Sequence, residues 1–149
     1  MKINIKKIVI ECFSKYVIKY NLTYKDEFYD HESLWIEYQS KNFIIKIEKY
    51  RRDFYIILYK IGFCDDGINL FNLLRYLNIN ISEFEYYNET FDDIKALNDY
   101  YKERLNFIST ALFSNFEIID KFFIEKNYKS NLEKINNYMI KEYPNLFKR

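Results

Sequence analysis

The side chains that could support catalysis are few in this chain. His31 is the sole histidine of the sequence and lies in an acidic run with Asp26, Glu27, Asp30 and Glu32. A serine-based triad needs a histidine that its neighbours orient, and a metal site needs ligands that converge, whereas consecutive residues point apart. We therefore expect a solvated loop histidine. The two glycines of the sequence cannot form a phosphate-cradling loop.

The two cysteines also lack the neighbours that reactive thiols need. Cys12 and Cys64 match neither a disulfide framework nor a zinc pattern. Cys12 falls in an apolar helical stripe, where a thiol packs as a small apolar group. Cys64 precedes Asp65-Asp66-Gly67, which lacks the alternating carboxylates and the final glutamate of an EF-hand. The sequence thus predicts no catalytic residue, no cofactor and no metal.

Composition indicates one folded domain over residues 1–149. A hydrophobic fraction of 49% argues against disorder, and the length allows a sizeable core. The 16 Tyr and 14 Phe residues, with abundant Ile, Asn and Lys, fit the codon usage of an AT-rich genome. A net charge of +1 provides no overall field for nucleic acid or an anionic membrane. With no long apolar run and no signal peptide, we expect a cytoplasmic protein without a membrane span.

The residues that could bind a partner are positioned by an antiparallel β-meander over residues 33–61. If Lys41-Asn42 form the first turn, with Asn in a left-handed conformation, Tyr38 lies opposite Ile45. A second two-residue turn at 51–52, or a longer loop at 50–53, then aligns the third strand. Side chains alternate between faces along a strand. One face therefore collects nine apolar residues and forms the core face: Leu34, Ile36, Tyr38, Phe43, Ile45, Ile47, Phe54, Ile56 and Leu58.

The opposite face of this sheet is more apolar than an ordinary solvent face. It carries Trp35, Glu37, Ile44, Lys46, Glu48, Tyr55, Ile57 and Tyr59, with Glu37 opposite Lys46 as a pair of opposite charge. Two interpretations are open. A helix, another strand or a second copy of the chain covers this face, or the face binds a partner protein. Under the second interpretation, the candidate site residues are Trp35, Glu37, Lys46, Tyr55 and Tyr59.

The rest of the chain reads as helices and connections. Apolar residues at intervals of three and four predict a helix over 5–20, and an acidic edge strand is expected within 22–32. A short helix over 68–77 and an acidic connector over 78–89 follow. One long helix is expected over 90–125, with a bend near 109–114 left open, and a last helix over 129–143 ends at Pro144. The fold class is α+β: an N-terminal helix, a meander of three to four strands, then a short, a long and a C-terminal helix.

Acidic residues concentrate between positions 65 and 99, and basic residues predominate from Lys121 onward. Helix dipoles account for this pattern where acids begin helices and bases end them. The alternative is an acidic patch that receives a basic partner such as a nuclease-type toxin. Its candidate residues are Asp65, Asp66, Glu89, Asp92 and Asp93. Nucleic-acid binding is not expected, because the sheet lacks the glycine–aromatic pattern of RNA platforms and carries glutamates among its aromatic residues.

This order of elements resembles small uncharacterised bacterial α+β proteins, including immunity proteins of toxin–immunity systems. Residues 33–61, 69–77 and the ending 141–149 carry the likeness. The resemblance implies a non-enzymatic protein that binds another protein and neutralises a toxin. Two alternatives stay open: an enzyme or nucleic-acid binder with a site assembled from distant residues, and a homodimer formed through the second sheet face.

Overall fold

The computed structural model describes residues 3–30, 33–81 and 93–147, with side chains described to residue 145. It shows an α+β fold with an N-terminal helix, an antiparallel meander and a set of helices after it, which confirms the predicted class. The strands are β1 (Thr23–Tyr29), β2 (Ser33–Gln39), β3 (Phe43–Tyr50), β4 (Asp53–Lys60) and β5 (Ile68–Asn69). The helices are α1 (Ile5–Lys19), α2 (Leu70–Tyr76), α3 (Ile94–Phe113), α4 (Phe116–Ile124), α5 (Tyr128–Glu142) and a 3₁₀ turn (Pro144–Phe147).

The strands form one antiparallel sheet in the order β1-β2-β3-β4-β5. The register agrees with the prediction: Tyr38 pairs with Ile45, and Ile47 pairs with Ile56. All nine residues of the predicted core face are buried. The sheet has one strand more than expected, because the first two residues of the predicted short helix 68–77 pair with β4 and form β5.

Both hairpin turns contain two residues, but they close differently from the prediction. In the first turn the Ser40 hydroxyl accepts from the backbone N–H of Phe43 at 3.2 Å, and Asn42 does not take a left-handed conformation. In the second turn Arg51 takes the left-handed conformation, with φ 56°, although this conformation is uncommon for arginine. The pairing of Tyr50 with Asp53 leaves no room for the longer loop.

Helices pack on the core face of the sheet through aromatic side chains. Phe13 of α1 stacks on Tyr38 with ring centroids 5.6 Å apart. Tyr101 of α3 meets Phe54 edge-on, and Phe123 of α4 stacks against Phe43 on β3. Three helices therefore cover this face with rings drawn from distant parts of the chain. The sheet's other face is the one available for a site.

The long helix expected over 90–125 is divided in two. Within the described residues α3 ends at Phe113 and α4 begins at Phe116. Ser114 donates its hydroxyl to the Thr110 carbonyl at 2.6 Å, and the Asn115 side chain donates to the Ala111 carbonyl at 2.8 Å. Such bonds compete with the helical ladder. The possible bend near 109–114 is therefore a break at residues 114–115, at the end of that range. Residues 90–92 lie outside the described chain.

Candidate functional site

The second face of the sheet, here called the outer face, is built from rows of side chains across neighbouring strands, and three of these rows carry the candidate site. The first row is Phe28, Trp35, Glu48 and Tyr55; the second is Asp26, Glu37, Lys46 and Ile57; the third is Gln39, Ile44 and Tyr59. The structure thus brings together all five residues that the sequence assigned to this face as a site. Residues of β1 to β4 occupy it, so its geometry is fixed by the sheet.

Aromatic rings dominate the first row. Phe28 stacks on Trp35 with ring centroids 6.0 Å apart and planes 15° apart. Tyr55 is 38% exposed, and Trp35 is half-buried. The sequence did not identify Phe28 as part of this surface. The mixed composition of residues 22–32 predicted an edge strand, which β1 confirms, but the register of that strand depends on an irregularity between Tyr24 and Asp26.

Lys46 lies at the centre of the outer face. Its ammonium nitrogen is 4.9 Å from the Trp35 ring centroid and 6.0 Å from that of Tyr59. The same nitrogen lies 3.1 Å from a carboxylate oxygen of Glu48, and the side chain is only 19% exposed. The predicted position of Glu37 opposite Lys46 is confirmed, yet the ammonium group pairs with Glu48. In the described part of the chain, Glu37 has no ion pair.

The loop between β4 and β5 covers one end of the outer face. A Cβ added to Gly67 would lie 2.6 Å from Cγ2 of Ile57 and 2.6 Å from a ring carbon of Tyr59, so this loop contacts both side chains. Burial raises the pKa of Tyr59; Lys46 opposes the rise, while the charges of Glu48 and Glu37 add to it. The face is partly covered at this end and open at Tyr55.

The same loop places two of the predicted acidic residues beside the outer face. Asp65 is exposed and Asp66 is half-buried, and the Asp66 carbonyl accepts a hydrogen bond from the Tyr128 hydroxyl at 2.6 Å. Gly67 follows directly and contacts Tyr59. The loop that carries Asp65 and Asp66 therefore adjoins the aromatic face through Gly67 and α5 through Asp66.

The other predicted acidic residues do not join this surface in the described chain. Asp93 caps α3, where its carboxylate accepts from the backbone N–H of Lys95 at 2.9 Å. A carboxylate at this position stabilises the helix start, so the structural explanation applies to Asp93. Glu89 and Asp92 lie outside the described residues.

Replacing Gly67 by alanine tests the contact between the loop and the outer face. Because the new methyl group would overlap Ile57 and Tyr59, we expect the free energy of unfolding to fall by about 1–3 kcal/mol, measured by urea denaturation. Adding Tyr59→Ala should make the loss smaller than the sum of the two single changes. Gly62, which has no atoms within 4 Å of an added Cβ, provides the control: Gly62→Ala should show no such coupling to Tyr59→Ala.

The remaining chemically interesting groups lie elsewhere. The Cys12 thiol lies 3.4 Å from an Asn106 side-chain oxygen and 3.6 Å from the Ser109 hydroxyl, and burial raises its pKa. It is therefore a packed thiol, as predicted. Cys64 is exposed, and His31 lies outside the described residues. Among residues that the structure describes, no group of three or more His, Cys, Asp or Glu side chains is arranged to hold a metal ion.

The helices described here are too short or too polar for any of them to cross a membrane. No protein family, curated protein or solved structure matches the chain. The candidate site therefore rests on this chain's own residues and their geometry.

Proposed function

We propose that the protein is a non-enzymatic binding module that contacts another protein through the outer face. The observation that carries the proposal is the aromatic row with Lys46 fixed against it. Phe28, Trp35 and Tyr55 present large rings on a rigid sheet, and such rings supply much of the binding energy at protein interfaces. Exposed aromatic patches on a folded domain are typical of interaction sites.

We propose further that the partner is a toxin and that the protein is its immunity factor. The support is the resemblance in the order of elements, together with a binding surface on the sheet rather than in a deep cleft. The free thiols of Cys12 and Cys64 fit a reducing compartment, so we place the encounter in the cytoplasm.

Affinity capture from the native cell lysate tests the binding surface. The wild-type protein and a Trp35→Ala, Tyr55→Ala, Tyr59→Ala variant are immobilised in equal amounts, and the retained proteins are quantified by mass spectrometry. We expect one partner to be retained by the wild type and reduced at least about tenfold by the variant, because loss of each anchor costs more than about 1 kcal/mol. A melting curve for each protein confirms that both are folded.

The matched control removes three exposed large apolar side chains from the helices. Ile18, Ile118 and Ile140 are exposed on α1, α4 and α5, and their triple alanine variant should retain the partner like the wild type. Equal retention by all three proteins would exclude the outer face. Sedimentation at two concentrations distinguishes the alternative: self-association abolished by the Trp35, Tyr55, Tyr59 variant would identify a homodimer interface.

The toxin proposal has its own test. The captured partner is expressed alone and together with wild-type protein or the outer-face variant. We expect growth arrest by the partner alone, growth with the wild type, and arrest again with the variant. A partner that is harmless when expressed alone would contradict the immunity function while leaving the binding function intact.

A further inference from the structure

The charges of the three rows that carry the candidate site are unbalanced, while the Arg51 guanidinium lies over Tyr50 beyond the first row. The three rows carry the carboxylates of Asp26, Glu37 and Glu48 against one ammonium group, that of Lys46. The loop whose Gly67 contacts Tyr59 also carries Asp65 and Asp66, directly before that glycine in sequence. A face of this sign attracts and orients a cationic surface.

The placement of Lys46 shows which group this face accommodates. A cation lies over the rings of Trp35 and Tyr59 and is held by a carboxylate of Glu48. Both interactions favour a positive charge on a partly dehydrated surface. Glu37, directly opposite Lys46, is half-buried and has no ion pair with any described residue, so one carboxylate is left for a cation from outside.

We propose that the partner inserts an arginine side chain at the Tyr59 end of the outer face, between Glu37 and the loop bearing Asp65 and Asp66, and an adjoining apolar side chain over Trp35 and Phe28. Arginine suits the position better than lysine. Its planar guanidinium stacks on a ring and bonds a carboxylate through two N–H groups at once. This inference rests on the proposed function and names the chemistry of the partner at the same site.

A model peptide tests the proposal without the natural partner. Trp35 is the only tryptophan of the sequence and lies on the outer face, so its fluorescence reports on this site. The protein is titrated with an acetylated, amidated hexapeptide of alternating leucine and arginine, and with the same peptide carrying citrulline in place of arginine. Citrulline keeps the planar shape and loses the charge. We expect a saturable change with the arginine peptide, at least about tenfold weaker binding of the citrulline peptide, and weakening by salt.

Variants of the carboxylates locate the binding. Two variants are made: Glu37→Gln, and the double change Asp65→Asn with Asp66→Asn. Each should lower the affinity for the arginine peptide several-fold and leave the affinity for the citrulline peptide unchanged. Glu133→Gln, at an exposed position on α5, should change neither. These amide substitutions retain side-chain size, and a melting curve confirms that each variant is folded.

The proposal is overturned if the arginine peptide gives no saturable change, if both peptides bind equally, or if the carboxylate variants bind like the wild type. Self-association through the outer face would also overturn it, because a second copy would then occupy the site. Its failure is distinguishable from failure of the proposed function. A captured partner that depends on Trp35, Tyr55 and Tyr59 but not on the three carboxylates would retain the binding function and reject the cationic partner.

Discussion

Replacing Phe13 by alanine is expected to lower the free energy of unfolding by about 3–5 kcal/mol. Phe13 is fully buried at the contact between α1 and the sheet. Its ring stacks on Tyr38 at 5.6 Å and meets Phe113 edge-on at 5.6 Å and Tyr16 at 6.3 Å. Truncation leaves a cavity where an N-terminal helix, a central strand and the end of α3 meet. A domain of this size has a total stability of about 5–15 kcal/mol, so the loss is a large part of it.

Urea denaturation followed by circular dichroism measures this effect. Phe13→Leu retains most of the apolar volume and should cost less than the alanine variant. Ile18→Ala, at an exposed position on the same helix, should change the free energy of unfolding by less than about 0.5 kcal/mol. Similar stabilities for the Phe13 and Ile18 alanine variants would show that α1 does not pack as described.

Replacing Asp53 by alanine is expected to lower the free energy of unfolding by about 2–4 kcal/mol. Asp53 accepts from Arg104 of α3 at 2.9 Å, and the side chains are 25% and 5% exposed respectively. The guanidinium also lies 5.7 Å from the ring centroids of Phe71 and Phe107. Removing the carboxylate takes the Asp53 ion pair away from a buried guanidinium, and the Phe54 backbone N–H loses its bond to the same carboxylate.

Replacing the other partner of the ion pair, Arg104, separates the effect of the buried charge on stability from the effect of packing. Arg104→Met removes the buried charge and keeps an apolar chain of similar length, so we expect a smaller loss than for Asp53→Ala. The double variant should be more stable than the sum of the two single losses predicts. Thermal and urea denaturation of the three variants give the coupling energy. A result in which Arg104→Met is the more damaging single change would contradict a dominant role for the Asp53–Arg104 ion pair.

The candidate site was partly predictable from the sequence because strand periodicity assigns each residue to a face. Trp35, Glu37, Lys46, Tyr55 and Tyr59 were grouped by alternation and turn length alone, and the structure places all five on one surface. The contribution of β1 was not predictable, since its irregular register has no signal in the polar residues around it. Lys46 forms its ion pair with Glu48 and not with Glu37. This preference depends on side-chain geometry, which strand pairing does not specify.

The sequence by itself determined the pairing of β2, β3 and β4, their register and the identity of their two faces, because these depend on residues close together along the chain. Only the tertiary structure decided which helices cover the core face, where the predicted long helix breaks, and that the loop ending at Gly67 adjoins Tyr59. The helix cover depends on contacts between residues far apart in sequence. The break and the Gly67 contact depend on local side-chain and loop geometry that the spacing of apolar residues does not specify. The Gly67 contact places the loop that carries Asp65 and Asp66 against the aromatic face. This arrangement supports the proposal that the partner presents an arginine.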